Sequence, residues 1–408
     1  MMLIKIAWRN IWRSKLRSSV VLLAIASGLI GGLFTSAWMN GLAKRRVKDA
    51  FSIETAHIQF HHPEFADNFD VKKTINLSNE KLDEISKIKG VKAVTSRIKT
   101  QAMAATANKN SGVTIVGINP ETEKNVFKLY EKIDSVNGDF FETEKRNSIV
   151  ISKALAKELK VKLKSKIVLT FQDYKGEITG AAFKVIGIYK TDNRPWDKMH
   201  VFVKDKDLRR VLELPENQSH EIDILLDNSA NASIVSEQLQ SKYPDVLCED
   251  WSDIQPYLKF ISEYMDVYMG IFMIIILAAL GFGIVNTMLM VILERTKELG
   301  MLMAIGMSKA RIFYMIMLET VFLSLVGAVI GEFISMLVIN YYGTAGLDFS
   351  AWADGLESVG YSAISYPELE IFRYLQITVL VVVTGILASI YPAIKALKLN
   401  PVEALRTE

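Results

Sequence analysis

The apolar positions of this chain are gathered into four blocks. One occupies residues 20–38, and three more crowd the C-terminal third at 267–293, 312–341 and 375–394. Each meets the requirement of about 20 predominantly apolar residues for a helix to cross a bilayer. The long stretch between the first block and the second is patterned like a water-soluble domain. This layout predicts an α-helical membrane protein with four transmembrane helices, one before and three after a large α+β extracytoplasmic domain. The expected divisions are 1–17, an interfacial amphipathic helix; 18–40, helix one; 41–264, the α+β domain; 265–293, helix two; 294–311, a connecting loop; 312–342, helix three; 343–373, a second outer loop; 374–396, helix four; and 397–408, a tail.

Local patterns fill in the divisions. Leu3, Ile4, Ala7, Trp8, Ile11 and Trp12 share one helical face, and Lys5, Arg9 and Arg13 another. This is the pattern of a helix lying in the membrane interface, with tryptophans at headgroup level. In the large insert, Ser78 caps an expected helix over 79–88, and residues 91–106 alternate as strands do. The β-rich run 113–118 leads into Asn119-Pro120, a cap with proline in the first helical turn. Ser152 caps a helix ending at 159. Runs 167–171 and 182–189 flank a short hairpin tip at 173–180. Strands follow at 200–203, 221–226 and 246–249, with a helix over 230–243. A helix starting at Ser252 and running into helix two predicts a stiff connection.

Charge sets the orientation. Lys5, Arg9, Arg13, Lys15 and Arg17 precede the first block; Arg295, Lys297, Lys309 and Arg311 separate the second from the third; Lys395, Lys398 and Arg406 follow the fourth. Four spans put these segments on one side, which the positive-inside rule assigns to the cytoplasm. The termini are therefore expected in the cytoplasm, with the large domain and 343–373 facing outward into a periplasm, as in a bacterial inner membrane of the kind that the resemblance given below implies. Lys44, Arg45, Arg46 and Lys48 run against this assignment, but long domains translocate largely regardless of charge. The first block ends in Trp38-Met39-Asn40, unlike a signal-peptide cleavage site, so a retained span is expected.

The formal net charge of +3 gives no reason to expect nucleic acid. A single cysteine, Cys248, excludes an intramolecular disulfide and a Cys/His metal framework, and is expected to be a small buried residue. It also leaves no N-terminal cysteine to be lipidated. No glycine loop ending in Lys-Ser/Thr is present, so the chain is expected to hydrolyse no nucleotide and to hold no cofactor. His57, His61 and His62 cluster without an evident third ligand, and a polar strand or loop is expected there, with no metal. Catalytic residues are expected to be absent.

Two acids, Glu319 and Glu332, fall inside the spans, and the amide Asn286 is singled out with them. A charge at the bilayer centre costs about 2.5–3.5 kcal/mol on insertion scales, so the acids should face other helices or be protonated. Glu319 suits a packing hydrogen bond, a role in conformational coupling, or a proton path. Gly327 and Gly331 make a step that lets helices approach closely. Between the second and third blocks runs Glu294-Arg295-Thr296-Lys297-Glu298-Leu299-Gly300-Met301-Leu302-Met303-Ala304-Ile305-Gly306. It reads either as a capped turn or as a short helix able to dock in a partner's groove.

This segment, extended through Ile312, resembles the cytoplasmic coupling segment of FtsX/MacB-type ABC transporter permeases. The end of the chain, "YPAIKALKLNPVEALR" (391–406), is similar to that superfamily's C-terminal signature, and "AWRNIWRSKLRSSV" (7–20) to its approach to the first span. "VTIVGINPE" (113–121) and "NSIVISKALAKELKVKLKSKIVL" (147–169) resemble its MacB-like periplasmic core domain. Trp38-Met39-Asn40-Gly41 and Glu249-Asp250-Trp251-Ser252-Asp253 are most like the lipoprotein-releasing (LolC/LolE-type) permease subunits. The hairpin near 173–180 departs from the proline-containing hook of the subunit that recruits a periplasmic chaperone, which puts such recruitment in doubt.

The resemblance implies a non-catalytic permease that extracts lipoproteins from the inner membrane by mechanotransmission, the alternative being a MacB-like exporter or mechanotransmitter for peptides, drugs or envelope signals. It implies a separate ABC ATPase dimer that uses ATP and Mg, a second permease of the same or homologous sequence, and contact with a lipoprotein and a chaperone. Glu294, Arg295, Lys297, Glu298, Leu299, Gly300, Met301, Ala304 and Gly306 would couple to the ATPase. The faces 20–34 and 270–290 suit a lateral cavity for acyl chains, and equally plain helix packing.

Overall fold

The computed structural model describes residues 2–13, 15–76, 79–107, 109–142 and 145–398. The expected cap Ser78 and the C-terminal motif beyond Lys398, Arg406 included, lie outside the described residues. The chain divides into a helical unit, residues 1–43, 264–348 and 364–408, and an α+β unit, residues 44–263 and 349–363.

Among the described residues, four helices are long and apolar enough to cross a membrane. They are span one (Lys15–Ile53), span two (Pro256–Glu294), span three (Lys309–Ala345) and span four (Ile371–Leu397). The helices outrun the apolar blocks because Ala, Lys and Arg, which follow the grease in span one, are themselves good helix formers. The expected helix from Ser252 is interrupted. A single turn, Trp251–Ile254, stops at Gln255, and Pro256 opens span two. Proline disfavours helical backbone in the residue before it, and Gln255 takes ψ 75°.

The spans share one apolar core that includes Ile25, Leu29, Ile284, Ile312, Leu323 and Val381. Span three meets span one at its glycine step. A Cβ on Gly331 would lie 3.0 Å from both Ala26 Cα and Leu29 Cβ, and one on Gly327 2.9 Å from Ile25 Cβ. The N-terminal helix (Met2–Arg13) buries Ala7 and Ile11 completely and sets Trp8 edge-on to Phe322 of span three, with ring centroids 5.6 Å apart. Its Lys5, Arg9 and Arg13 are exposed, and so are Ile4, Trp8 and Trp12 of the apolar face.

In the α+β unit nine strands form one sheet. They are β1 (Ile58–His61), β2 (Val91–Ala105), β3 (Asn110–Ile118), β4 (Ser148–Ser152), β5 (Lys166–Gln172), β6 (Ile178–Tyr189), β7 (His200–Lys204), β8 (Glu221–Leu226) and β9 (Leu247–Asp250), in the order β9-β1-β8-β2-β3-β7-β4-β6-β5. β5 pairs back onto β2 at Met103–Ala105, closing six strands into a barrel. Ile115, Ile149, Ile151, Phe183 and Val201 belong to the core of this half. The first half of β2 instead pairs with β8, so one 15-residue strand serves both the barrel and a four-stranded sheet. The expected caps are present: Asn119 Oδ1 accepts from the Glu121 N–H at 3.2 Å, and Ser152 Oγ from the Leu155 N–H at 3.0 Å.

Alternation decides which face of the four-stranded sheet is dry. Ile58, Phe60, Ile222 and Ile224 enter an apolar core with Ile85 and Leu239. The intervening residues make a buried polar stripe. Arg97 is 2% exposed; its Nη2 lies 2.5 Å from Glu123 Oε1, its Nε 3.5 Å from Asp223 Oδ2, and its guanidinium 3.5 Å from the Phe127 ring centroid. Lys99 Nζ lies 2.5 Å from Glu221 Oε2, and Gln59 Nε2 donates to Asp223 Oδ1 at 2.7 Å. Burial pushes Asp223 up to about 6, against the pull of Arg97. Burial is the largest single influence on Glu221 and pushes it up, but the charge and hydrogen bond of Lys99, with Arg97 and His61, together hold that carboxyl below its usual range.

The histidines are occupied within this fold. His57 Nδ1 accepts from the Leu226 N–H at 3.0 Å. His61 Nε2 sits 2.7 Å from Glu249 Oε2, a carboxylate delivered by β9 from far along the chain and therefore missed in the sequence. Cys248 is buried, and burial pushes its thiol up to about 12. Of the basic residues that ran against the topology, Arg46 is buried on Glu54 at 2.9 Å and Arg45 pairs with Asp49 at 3.1 Å. Their charges build the α+β unit.

Candidate functional site

The segment between spans two and three forms a helix, Thr296–Ala304. Span two ends at Glu294, and Arg295 occupies the break with φ −100° and ψ 14°. The helix stops by a Schellman motif: the Met307 N–H reaches the Leu302 carbonyl at 3.0 Å and the Gly306 N–H the Met303 carbonyl at 3.1 Å. Gly306 takes φ +96°, a conformation that favours glycine. Ser308 then precedes span three with extended backbone.

This connecting helix has two unlike faces. Lys297, Met301, Ala304 and Ile305 are exposed, at the spacing i, i+4, i+7, i+8 that puts them on one side. Met301 is 52% and Ile305 78% exposed, large values for apolar side chains outside a span. Glu294 and Gly306 are also exposed. Leu299 and Gly300 are buried, and Leu302 and Met303 pack against the core shared by the spans.

The inner face also carries charge. Arg295 Nη1 lies 3.0 Å from both carboxylate oxygens of Glu319, and its Nε donates to Glu298 Oε2 at 3.0 Å. Glu298 Oε1 accepts from Arg13 Nη2 at 2.7 Å. Four residues from three helices and the break thus alternate in sign along one line. They border a polar cavity of about 210 Å³ that Asn10 and Ser18 also line. Burial favours neutral Glu298, but hydrogen bonds and charge from Arg295, then Arg13, hold it below the usual carboxylate range. Arg295 and Glu319 expose only 16% and 8% of their side chains, whereas Arg13 and Glu298 expose 70% and 40%.

Of the other intramembrane polar residues, Glu332 accepts a hydrogen bond from Thr378 Oγ1 of span four. Asn286 is exposed on span two. A groove of about 530 Å³ runs between spans two and four, lined by Ile274, Leu277, Phe282, Val285, Leu380 and Leu387 among others. No cluster of three or more His, Cys, Asp or Glu suited to a metal occurs among the described residues.

Two family profiles match the chain. The FtsX-like permease C-terminal profile covers residues 270–401, and the MacB-like periplasmic core domain profile covers 18–242, more than half the chain. The chain belongs to the FtsX/MacB permease family. Family members of known sequence align over nearly all of it. The macrolide export ATP-binding/permease protein MacB of Neisseria gonorrhoeae is 24% identical over 96% of this chain, which spans 58% of that protein's length. The lipoprotein-releasing system transmembrane protein LolC of Buchnera aphidicola is 24% identical over 95% of this chain and 92% of its own length. The ABC transporter permease YknZ of Bacillus subtilis is 25% identical over 99% of this chain and 98% of its own. This is an ABC transporter permease of the MacB/LolC/LolE type.

Proposed function

We propose that this chain is the membrane subunit of an ATP-driven machine that releases lipoproteins from a bacterial inner membrane. A separate ATPase dimer, using ATP and Mg, docks on the connecting helix from the cytoplasm, and a second permease completes the membrane part. The single observation behind the reading is the outward face of that helix. Met301, Ala304 and Ile305, with Lys297 beside them, are too apolar for a free surface and sit where a short helix can enter a partner's groove. Asn286 supports a second permease, since an amide exposed on a span is stabilised by a hydrogen-bond partner from another helix. The apolar groove beside span two suits an acyl chain, in keeping with the likeness to LolC.

A second reading, export or envelope mechanotransmission, is favoured by the match to MacB along 96% of the chain. Gentle extraction of the tagged chain from its native cells, followed by native mass spectrometry, separates the two. An ATPase pair, a further permease and an acylated lipoprotein are expected. An ATPase pair with two copies of this chain and no lipoprotein selects the exporter, and recovery without any ATPase refutes both.

A further inference from the structure

The geometry points to Arg295 as the positioning residue of the coupling site: it clamps the connecting helix to span three through Glu319, while Arg13 adds a releasable contact to the N-terminal helix. The inference rests on the docking reading of the outward face and concerns how motion leaves that face.

Three features carry it. Arg295 occupies the one non-helical position between span two and the connecting helix, where a change of angle between the two would be taken up. From there it holds two carboxylates at once, with Nη1 on both oxygens of Glu319 and Nε on Glu298, each at 3.0 Å. Only a planar guanidinium offers donors forked in this way; a lysine ammonium carries the same charge as a single point. Glu319 is 6% exposed and lies a full 10 residues into span three, which begins at Lys309. A largely buried pair of this kind is far harder to break than an exposed one, because each charge then loses its partner with little solvent to replace it. A push on the connecting helix is therefore delivered to span three and is not absorbed by bending at the break.

The other end of the line differs. Arg13 and Glu298 are largely exposed, and exposed pairs bias an equilibrium by no more than about fivefold. This contact forms and breaks readily. The N-terminal helix, seated on span three through Ala7, Ile11 and Trp8, is thus a second lever that the connecting helix engages or drops. The line is a firm clamp joined to a weak catch.

The test uses the full chain in lipid nanodiscs and two readouts. Hydrogen exchange over the connecting helix measures the clamp without any ATPase. Titration with the ATPase recovered from native cells gives a half-saturating concentration and a maximal ATP turnover. Arg295→Lys and, as a second variant that keeps an acceptor in span three, Glu319→Gln should raise exchange over residues 296–304 by about 10-fold or more. Turnover should fall by a similar factor with half-saturation within about twofold, in the range usual for coupling between sites. Arg13→Ala should change either quantity by at most about fivefold, and Arg13→Lys should restore it. Unchanged exchange and turnover in Arg295→Lys and Glu319→Gln overturn the inference. So does a parallel loss of affinity and turnover, which marks a merely structural role. Failure to recover an ATPase would sink the docking reading alone, because exchange still reports on the clamp.

Discussion

Replacing Arg97 by methionine tests whether the polar stripe of the α+β unit is held by its central cation. The side chain volume is roughly kept, and the stacking on Phe127 survives in apolar form. What disappears is the partner of Glu123 at 2.5 Å and the nearest cation to Asp223, leaving those two carboxylates and Glu221 around Lys99 in a site closed to water. Removing one partner of a buried pair costs about 3–5 kcal/mol, a large share of the roughly 5–15 kcal/mol that a domain has to lose. At 1.36 kcal/mol per power of ten, exchange protection at the paired β2 and β8 amides should fall by about 2.2–3.7 powers of ten at pH 8. The loss should shrink on acidification. Asp223 has its folded value raised to about 6, so its favourable contribution is present below its unfolded value of 3.8 and disappears as pH rises through 6. Without Arg97 that value rises further and the stretch of lost stability widens. Glu221 acts in the opposite sense: its lowered value stabilises the wild type above the unfolded range and is lost in acid. The gap between wild type and variant is therefore widest at alkaline pH and narrows towards pH 5. Hydrogen exchange by mass spectrometry on the full chain in micelles, corrected for intrinsic rates, measures both. A loss under about 1 kcal/mol, or a gap that stays constant from pH 8 to pH 5, would refute the reasoning.

Met301→Asp with Ile305→Asp should abolish recovery of the ATPase while leaving the thermal melting of the chain within a few degrees, measured by co-purification and light scattering on heating. Gly300→Pro places proline inside the connecting helix at a cost of about 3 kcal/mol or more, and should remove ATP-driven turnover without dispersing the spans; normal turnover would count against the docking helix. Gly331→Leu should destabilise the helical unit by about 1–3 kcal/mol, because even its Cβ would sit 3.0 Å from Ala26 Cα, whereas Gly31→Ala, with nothing within 4 Å, should be neutral or stabilising; equal melting temperatures would contradict the close approach.

Much of the fold is legible in the chain because its signals are local. Hydropathy marks all four spans, and Asn119-Pro120 and Ser152 announce their helices through side chains that cap within three residues. The connecting segment is legible only in part: its charged first turn, the apolar residues after it and its bounding glycines admit a short helix or a capped turn, and the structure shows the helix. Hydropathy says less about where span one stops, because helix propensity continues to Ile53 after the apolar run has ended. The short helices Arg194–Met199 and Asp205–Leu212 escape notice for a different reason: each is too brief to establish a period. The partners of Arg295 divide along the same line. Glu298 is three residues away on the same turn, but Glu319 is 24 away on another helix, and Glu298 in turn meets Arg13 from the start of the chain. Such encounters are set by tertiary packing, and a single sequence offers no period in which to see them. His61 on Glu249, 188 residues apart, is the same case in the sheet.

The α+β unit is not continuous in sequence: it includes residues 349–363, and the side chain of Glu357 from that segment lies 2.6 Å from Lys190 and 3.3 Å from Arg194. Synthesis therefore reaches the last piece of the unit roughly 100 residues after Glu263, with spans two and three emerging in between. At about 5–20 residues per second, the nascent unit waits about 5–20 s with Lys190 and Arg194 lacking Glu357. A chaperone acting on this chain during its birth would meet the unit in that unfinished state, with the strands of the barrel all made and the final clasp still to come.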